Sequence, residues 1–345
     1  MNDQQAKTRR GLSDPFLYDL EGKGKIDLNP LLSFVKDDNT LMLAIRKEYI
    51  NIYYRGGSIL RLFWDKDKDH QYNAKFDFNY AEPGKRSPEA EKIIIATEEK
   101  LDLKKIIKKT SDVQEWLNNF PALKQIMDEY LTKHEKLERE FQQLVVRENN
   151  FSRLSNMTDY FIVDIEVSYP KTRFDLLAIK WPATQEARKK DKVSLAFIEM
   201  KYGKDSLTGK AGLAEHIKKL ADFIKNPANL SDIRETIKVQ LTQLNELGLL
   251  KHTRTEDRDF EVTEEKPEVI MLLAGYPLQS QRLHNLLFNE EKEALNLYAQ
   301  DTEFDLKFHW PHSAGYGLFI KDMIPLDCFK ERLNSLMFLE KSPTP

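Results

Sequence analysis

Three charged residues near the middle of the chain stand inside apolar segments. Asp175 lies in the run 174–179, and Glu199 and Lys201 end the run 195–201. Runs of this length, rich in Leu, Ile and Phe, predict buried strands, and a buried charge is costly unless it is paired or bound to a metal ion. If the two runs are neighbouring strands, two carboxylates and one ammonium group converge at one edge of a sheet. That arrangement suits a divalent-metal site with a cation beside it.

The spacing within the second run assigns its side chains to faces. Because side chains alternate along a strand, Glu199 and Lys201 point to one face and Met200 points to the other, into a core. Glu166 lies on a further predicted strand, over residues 159–168. Glu166 could add a ligand, but an ion pair across the sheet is the favoured interpretation.

Helices are predicted before and after these strands. Pro121 suits the first turn of a long helix, whose apolar residues recur at three- and four-residue spacing as far as Val145. Glu138 and Glu140 lie on the two borders of this apolar stripe, where a carboxylate can look into a cleft. An amphipathic helix over residues 213–224 follows the strands and carries His216.

The remaining periodicity predicts the fold class, which is α/β. Residues 121–345 form a mixed domain, with further helices over 231–247 and 279–297 and strands over 269–274, 304–308 and 317–320. Residues 1–120 form an N-terminal β-rich module with short helices over 88–109 and 112–119. Its strand-like runs are 41–45, 49–54, 59–64 and 72–80, with a Gly-Gly hairpin signal at 56–57.

Composition limits the function classes. The 345 residues carry a net charge of -3, so a nucleic-acid partner would be held by local patches. The single cysteine, Cys328, excludes internal disulfides and cysteine-rich zinc sites. The polar N-terminus lacks the apolar core of a signal peptide, and no apolar run approaches the roughly 20 residues of a membrane span. We expect a cytoplasmic protein without membrane segments. The glycine motifs of nucleotide-binding loops and of α/β-hydrolases do not occur.

Asp175, a variable loop and then Glu199-x-Lys201 at the end of an apolar run, preceded by the helix that carries Glu138, resemble the PD-(D/E)XK phosphodiesterase superfamily. Restriction endonucleases, repair nucleases and many defence nucleases belong to it. The resemblance covers residues 130–250 and departs from the family in Phe174, which replaces a proline, and in the long charged loop before Glu199. It implies a restriction-endonuclease-like core, a mixed sheet flanked by helices, and a metal-dependent nuclease. Endonuclease activity is favoured over exonuclease activity, and DNA over RNA.

The metal chemistry fits these residue types. Phosphodiester hydrolysis needs an activated water and neutralised charge on the leaving oxygen, and Mg²⁺ or Mn²⁺ held by Asp175 and Glu199 supplies both. Mg²⁺ prefers oxygen ligands and usually takes only a few carboxylates. The resemblance implies that the carbonyl of Met200 adds a ligand. It also implies a helix glutamate at the metal site, for which Glu138 is the first choice and Glu140 the second.

Two further groups complete the predicted catalytic set. Lys201 stays protonated beside carboxylates and would orient the attacking water or stabilise charge developing on the phosphate. The resemblance places a polar residue, commonly glutamine, on the helix after the lysine, and His216 is the plausible occupant. Cutting both strands of a duplex would favour a homodimer.

The same residues also have structural explanations. Glu199 and Lys201 could lie on an exposed edge strand with a cross-strand ion pair, the helix glutamates could be solvated, and His216 could pack on the helix surface. The alternative function is a non-catalytic nucleic-acid-binding or protein-interaction protein on the same fold. The hairpin around Arg55 could hold nucleic acid through its aromatic residues or pack against its own domain.

Overall fold

The computed structural model describes residues 10–68, 70–81, 103–169, 172–203, 207–209, 212–251, 258–277, 280–311 and 315–338. It is a mixed α/β protein with two separate sheets, as the sequence predicted. The chain forms two compact units. The first comprises Met1–Gln143 with Val239–Glu256, and the second comprises Leu144–Lys238 with Asp257–Pro345. The sequence predicts a domain boundary between residues 120 and 121.

The first unit contains the N-terminal β-rich module. Its antiparallel sheet has the order β1 to β5, formed by Leu41–Ile45, Tyr49–Tyr54, Gly57–Asp65, Gln71–Lys75 and Ile106–Ile107. The helices α1 (Asp14–Leu20) and α2 (Asn29–Asp37) precede the sheet. Most of the helix predicted over 88–109 lies outside the described residues. Its end is instead the short strand β5, which pairs with β4.

The long helix expected from Pro121 is two helices, α3 (Thr110–Lys133) and α4 (Leu137–Val146). The start lies upstream because Asp112 accepts the backbone N–H groups of residues 108 and 109. Trp116 and Phe120 extend the buried stripe through this early part of α3. Pro121 therefore lies inside the helix. The break follows His134, whose backbone is not helical.

The turn between β2 and β3 is bound to these helices. Arg55 donates two hydrogen bonds to Glu140, at 2.9 and 3.0 Å, and one to Asp128 at 2.8 Å. The N–H of Gly56 donates to the side chain of Gln143 at 2.5 Å. Arg55 is thus paired with carboxylates of its own unit, and a bidentate arginine–carboxylate pair fixes both partners in orientation.

Gly56 provides a test of this packing. Its φ is +72°, and a Cβ there would lie 2.5 Å from the backbone oxygen of Arg139. A left-handed backbone costs a residue with a Cβ about 1–2 kcal/mol, and overpacking costs about 1–3 kcal/mol more. Gly56→Ala should therefore lower the free energy of unfolding by about 2–5 kcal/mol, measured by urea denaturation.

Gly209→Ala is the matched control, because Gly209 has the same φ of +72° but, among the described residues and apart from its chain neighbours, no atom lies within 4 Å of an added Cβ. It should lose only the backbone cost of about 1–2 kcal/mol. Equal losses in the two variants would contradict the close contact at Gly56.

The second unit is built on a mixed sheet of order β11-β10-β8-β7-β6, with β9 paired to β8. The strands β6 to β8 are antiparallel, whereas β10 runs parallel to β8 and β11 parallel to β10. In chain order the strands are β6 (Tyr160–Tyr169), β7 (Thr172–Lys180), β8 (Lys192–Tyr202), β9 (Glu261–Val262), β10 (Glu268–Ala274) and β11 (Asp305–His309). The strands predicted over 159–168, 174–179, 195–201, 269–274 and 304–308 are confirmed. Residues 317–320 are not a strand.

The structure confirms the helices predicted over 213–224 and 231–247, divides the one predicted over 279–297, and adds two helices that the sequence pattern did not predict. The elements are α5 (Gln185–Arg188), α6 (Leu213–Ile224), α7 (Pro227–Glu246), which continues into the first unit, α8 (Gln281–Asn285), α9 (Lys292–Ala299) and α10 (Leu326–Phe338). The single helix predicted over 279–297 is divided by a π-helical turn at Leu286–Glu290. Among the described residues, no helix combines the length and the hydropathy that a bilayer crossing requires.

An aromatic cluster holds α6 on the sheet. The ring of Phe223 lies 4.9 Å from that of Phe174 and 5.9 Å from that of Phe197, measured between centroids. Edge-to-face pairs at these distances each add about 0.5–1.5 kcal/mol beyond the area they bury. The cluster therefore fixes where α6 lies over β7 and β8.

His309 at the end of β11 predicts how stability depends on pH. Burial lowers its pKa to about 4, below the value near 6.5 of an exposed histidine. Between these values the unfolded chain binds a proton that the folded chain does not. The contribution of His309 to the free energy of unfolding is therefore at its maximum above pH 6.5. It falls by about 3 kcal/mol as the pH is lowered to 4.

His309→Gln removes this proton. The difference in unfolding free energy between wild type and variant, measured in urea at several pH values, should change by about 3 kcal/mol between pH 7 and pH 4. Parallel curves would show that His309 does not titrate abnormally.

Candidate functional site

Asp175 and Glu199 meet because their strands are antiparallel neighbours. Asp175 stands near the start of β7 and Glu199 near the end of β8, so both lie at the same end of these two neighbouring strands. The recorded pairing of β7 with β8 ends at Leu176 opposite Ile198. Beyond that point the Asp175 carboxylate accepts the backbone N–H of Met200 at 2.9 Å. A side chain thus takes a hydrogen bond that the ladder would otherwise make.

Glu199 has two cationic or potentially cationic neighbours. The Nζ of Lys201 lies 3.5 Å from its Oε1, and the Nδ1 of His216 contacts the same oxygen. The side chains of Glu199 and Lys201 are 3% and 5% exposed, while that of His216 is 24% exposed. The pair is therefore an almost fully buried ion pair, and not the exposed edge-strand pair that sequence analysis considered.

The local structure explains this convergence. Glu199 and Lys201 share a face of β8 by strand alternation, and Phe197 on the same face packs against Phe223 of α6. The first turn of α6 carries His216 seven residues before Phe223, which puts both on one side of the helix. The packing of α6 therefore brings His216 to Glu199.

The two helix glutamates belong to the first unit and have different surroundings. Glu140 is bound to Arg55, as described above, and this ion pair occupies both of its oxygens. Glu138 lies in the first turn of α4 and is half-buried. The participation of a helix glutamate in the site remains a prediction. The structure brings Asp175, Glu199, Lys201 and His216 together in the second unit.

Glu166 adopts the structural alternative. It pairs with Arg173 on the neighbouring strand β7, as the cross-strand interpretation predicted. Its φ of +51° marks a local irregularity of β6. Side chains with such a backbone are uncommon outside turns and bulges.

The carboxylates among the four converged side chains are the type of ligand that a hard cation prefers, but they are few. Among the described residues, no group of three or more His, Cys, Asp or Glu is arranged to hold a metal ion. Mg²⁺ needs fewer protein ligands, because it is commonly bound by one or two carboxylates plus waters and phosphate oxygens. Within that part of the chain, both contacts of Glu199 use Oε1 and none uses Oε2. The four side chains carry one net negative charge when His216 is neutral, which favours a cation.

A cavity that the sequence pattern did not indicate lies beside the same helix. The α6 cavity has a volume of about 460 Å³ and is lined by Tyr169, Thr172, Lys219, Asp222, Phe223, Asn226 and Asn229. Its residues come from the β6–β7 hairpin, from α6 and the turn that follows it, and from the first turn of α7. No spacing rule links a strand end to a helix end some fifty residues later, so the sequence offered no signal for it.

The buried ion pair makes a stability prediction. Lys201→Met leaves the Glu199 carboxylate without its lysine, and breaking a buried pair costs about 3–5 kcal/mol. The double variant Glu199→Gln/Lys201→Met should lose less than the sum of the two single variants. The coupling energy, from urea denaturation in EDTA, should exceed 1 kcal/mol, at the order of contacting residues.

The control is the pair of Lys192 and Glu261, which lies at the other end of β8 and is exposed. Its coupling energy should be about 0–1 kcal/mol. If the coupling at Glu199 and Lys201 were no larger than this, the two side chains would not form a buried ion pair in solution.

No family model, no curated protein and no solved structure matches this chain. A functional assignment therefore has to come from the chain's own residues and from the geometry that they adopt.

Proposed function

We propose that this chain is a metal-dependent nuclease that hydrolyses phosphodiester bonds of nucleic acid, with DNA favoured over RNA. The observation that supports this most is the meeting of Asp175, Glu199, Lys201 and His216 at one end of a sheet. Two carboxylates beside a lysine provide oxygen ligands for a metal ion and a cation for a phosphate. Endonuclease activity, with a homodimer for cutting both strands, is the form that the resemblance favours.

The order of elements around the site adds support. A helix precedes the three antiparallel strands β6, β7 and β8, and α6 follows them before the parallel strand β10. The resemblance to the PD-(D/E)XK superfamily implies such a mixed sheet with flanking helices. A fold alone does not determine function, so the side chains at the strand ends carry the proposal.

Asp175 and Glu199 would hold Mg²⁺ or Mn²⁺, with the carbonyl of Met200 as a further oxygen. When bound, such an ion lowers the pKa of a coordinated water and neutralises charge on the phosphate. Lys201, which pairs with Glu199, would stabilise negative charge that develops on the phosphate. His216 would orient Glu199 through its contact with Oε1.

A second candidate function is a non-catalytic protein on the same fold. Two observations favour it. Lys201 and His216 already contact Glu199, and among the described residues no group of three or more His, Cys, Asp or Glu could hold a metal ion. A buried carboxylate that already has partners within the protein needs no metal ion. This candidate binds nucleic acid in a salt-sensitive manner without cutting it.

Cleavage assays separate the two candidates. The protein is incubated with plasmid, linear and single-stranded DNA and with RNA, in Mg²⁺, Mn²⁺ or EDTA. We expect metal-dependent cleavage that falls at least a hundredfold in Glu199→Ala and Lys201→Ala, as loss of an electrostatic catalytic group does at the order of magnitude. Lys192→Ala, on the exposed end of the same strand, should cleave like the wild type.

Cleavage that persists in Glu199→Ala and Lys201→Ala would refute the assigned site. Melting temperatures with and without Mn²⁺ provide an independent readout, because an ion that binds the folded state must stabilise it. Mn²⁺ should raise the melting temperature of the wild type but not of Glu199→Ala. No rise and no cleavage would together favour the non-catalytic candidate.

A further inference from the structure

The α6 cavity lies near the acidic cluster, which is the group Asp175, Glu199, Lys201 and His216. Both include side chains of α6. His216, Lys219 and Phe223 stand at positions i, i+3 and i+7 of α6, so they lie on one side of it. From His216, which contacts Glu199, to Phe223, which lines the cavity, the helix rises by about 10 Å. The cavity thus lies within the reach of one or two nucleotides from the cluster.

Tyr169 offers the cavity an aromatic surface. Its ring is half-buried and packs edge-to-face on Phe223, with 5.0 Å between the ring centroids. Its hydroxyl donates to the carboxylate of Asp232 at 3.1 Å, which restrains the ring. A restrained, partly exposed ring is the surface on which nucleobases stack in single-strand-binding proteins.

Two amides add hydrogen-bonding groups of both kinds. The Nδ2 of Asn229 donates to the backbone oxygen of Phe223, and the Oδ1 of Asn226 accepts from the N–H of Ala228. Within the described part of the chain, Asn229 therefore keeps its Oδ1 as an acceptor and Asn226 keeps its Nδ2 as a donor. The Oγ1 of Thr172 is buried without a partner there. A donor, an acceptor and a hydroxyl match the edge of a nucleobase.

Lys219 supplies charge between the cavity and the cluster. Its side chain is 40% exposed and its nearest acid is Glu215, at 3.7 Å. An exposed pair of this kind contributes little to stability, so the ammonium group is available to a phosphate. Lysine acts on phosphate as a point charge.

We infer that the α6 cavity binds an unpaired base of the nucleic-acid strand whose phosphate lies at Asp175 and Glu199. The inference rests on the proposed function and names its substrate class, which is single-stranded nucleic acid or a single-stranded tail. A base in a duplex is stacked and paired, so it reaches a cavity only after it has been extruded. Tyr169 stacks on the base, Asn226 and Asn229 bind its edge, and Lys219 contacts the adjoining phosphate.

Fluorescence anisotropy tests this on the full chain. The probes are a short fluorescein-labelled DNA strand of mixed sequence, the same sequence as RNA, and the blunt DNA duplex, all in EDTA so that metal-dependent cleavage does not interfere. The single strands should bind more tightly than the duplex. Tyr169→Ala should weaken single-strand binding about tenfold, which is the loss of one stacked base. Tyr169→Phe keeps the ring and should stay within about twofold of the wild type.

Two further comparisons keep the test decisive if Tyr169→Ala does not fold. The double variant Asn226→Ala/Asn229→Ala should weaken single-strand binding about fivefold or more, through lost hydrogen bonds to the base. Lys219→Ala should weaken it and reduce its salt dependence. Lys238→Ala, with a similarly exposed side chain (43%), should leave it unchanged.

The inference is overturned if the duplex binds as tightly as the single strands, or if these cavity variants keep wild-type affinity. Failure of the nuclease proposal gives a different result. Glu199-dependent cleavage together with unaltered binding by the Tyr169 and asparagine variants would remove the base site and keep the nuclease. Binding that depends on the cavity residues, without cleavage in any metal, would remove the nuclease proposal and keep the base site.

Discussion

The second unit depends on how it accommodates charge where β7 and β8 cease to pair. At this point a carboxylate, and not a main-chain carbonyl, accepts the N–H of Met200. Buried polar groups are nearly always hydrogen-bonded, and a buried charge needs a partner as well. Loss of Lys201 would therefore leave Glu199 without a buried ion-pair partner, and loss of Asp175 would leave the Met200 N–H without this acceptor. Burying charged groups at a strand end is costly, and the excess of carboxylates over lysine favours a bound cation.

Aromatic packing connects this cluster to the rest of the unit. Phe174 and Phe197 flank the charged residues in sequence and hold Phe223 of α6. Because α6 is held there, its first turn presents His216 to Glu199, and its last turn forms one wall of the α6 cavity. The metal-site proposal and the base-site inference thus depend on the same apolar contacts, although they use different polar atoms.

The first unit shows the opposite outcome for a charged motif. Arg55 and Glu140 each had a sequence-based functional interpretation, one in nucleic-acid binding and the other in metal binding. In the structure they bind each other in a two-pronged ion pair. The hairpin turn needs this pair and the hydrogen bond of Gly56 to Gln143, because its backbone has positive φ at two successive residues. Complementary charges that are distant in sequence have here been used for structure.

Local patterning in the sequence determined the strands and helices that carry the site. Apolar runs and helical periodicity report burial directly, so β7, β8 and α6 were predicted together with Asp175, Glu199, Lys201 and His216. The N-terminal antiparallel sheet was predictable for the same reason. Local signals did not reveal the helix break at His134, and they predicted a strand over 317–320 that does not form. Only the tertiary structure decided that Glu140 would pair with Arg55 and that Tyr169 would meet Phe223, since each contact joins residues more than fifty positions apart. Such contacts depend on how the chain packs, and no periodicity records that.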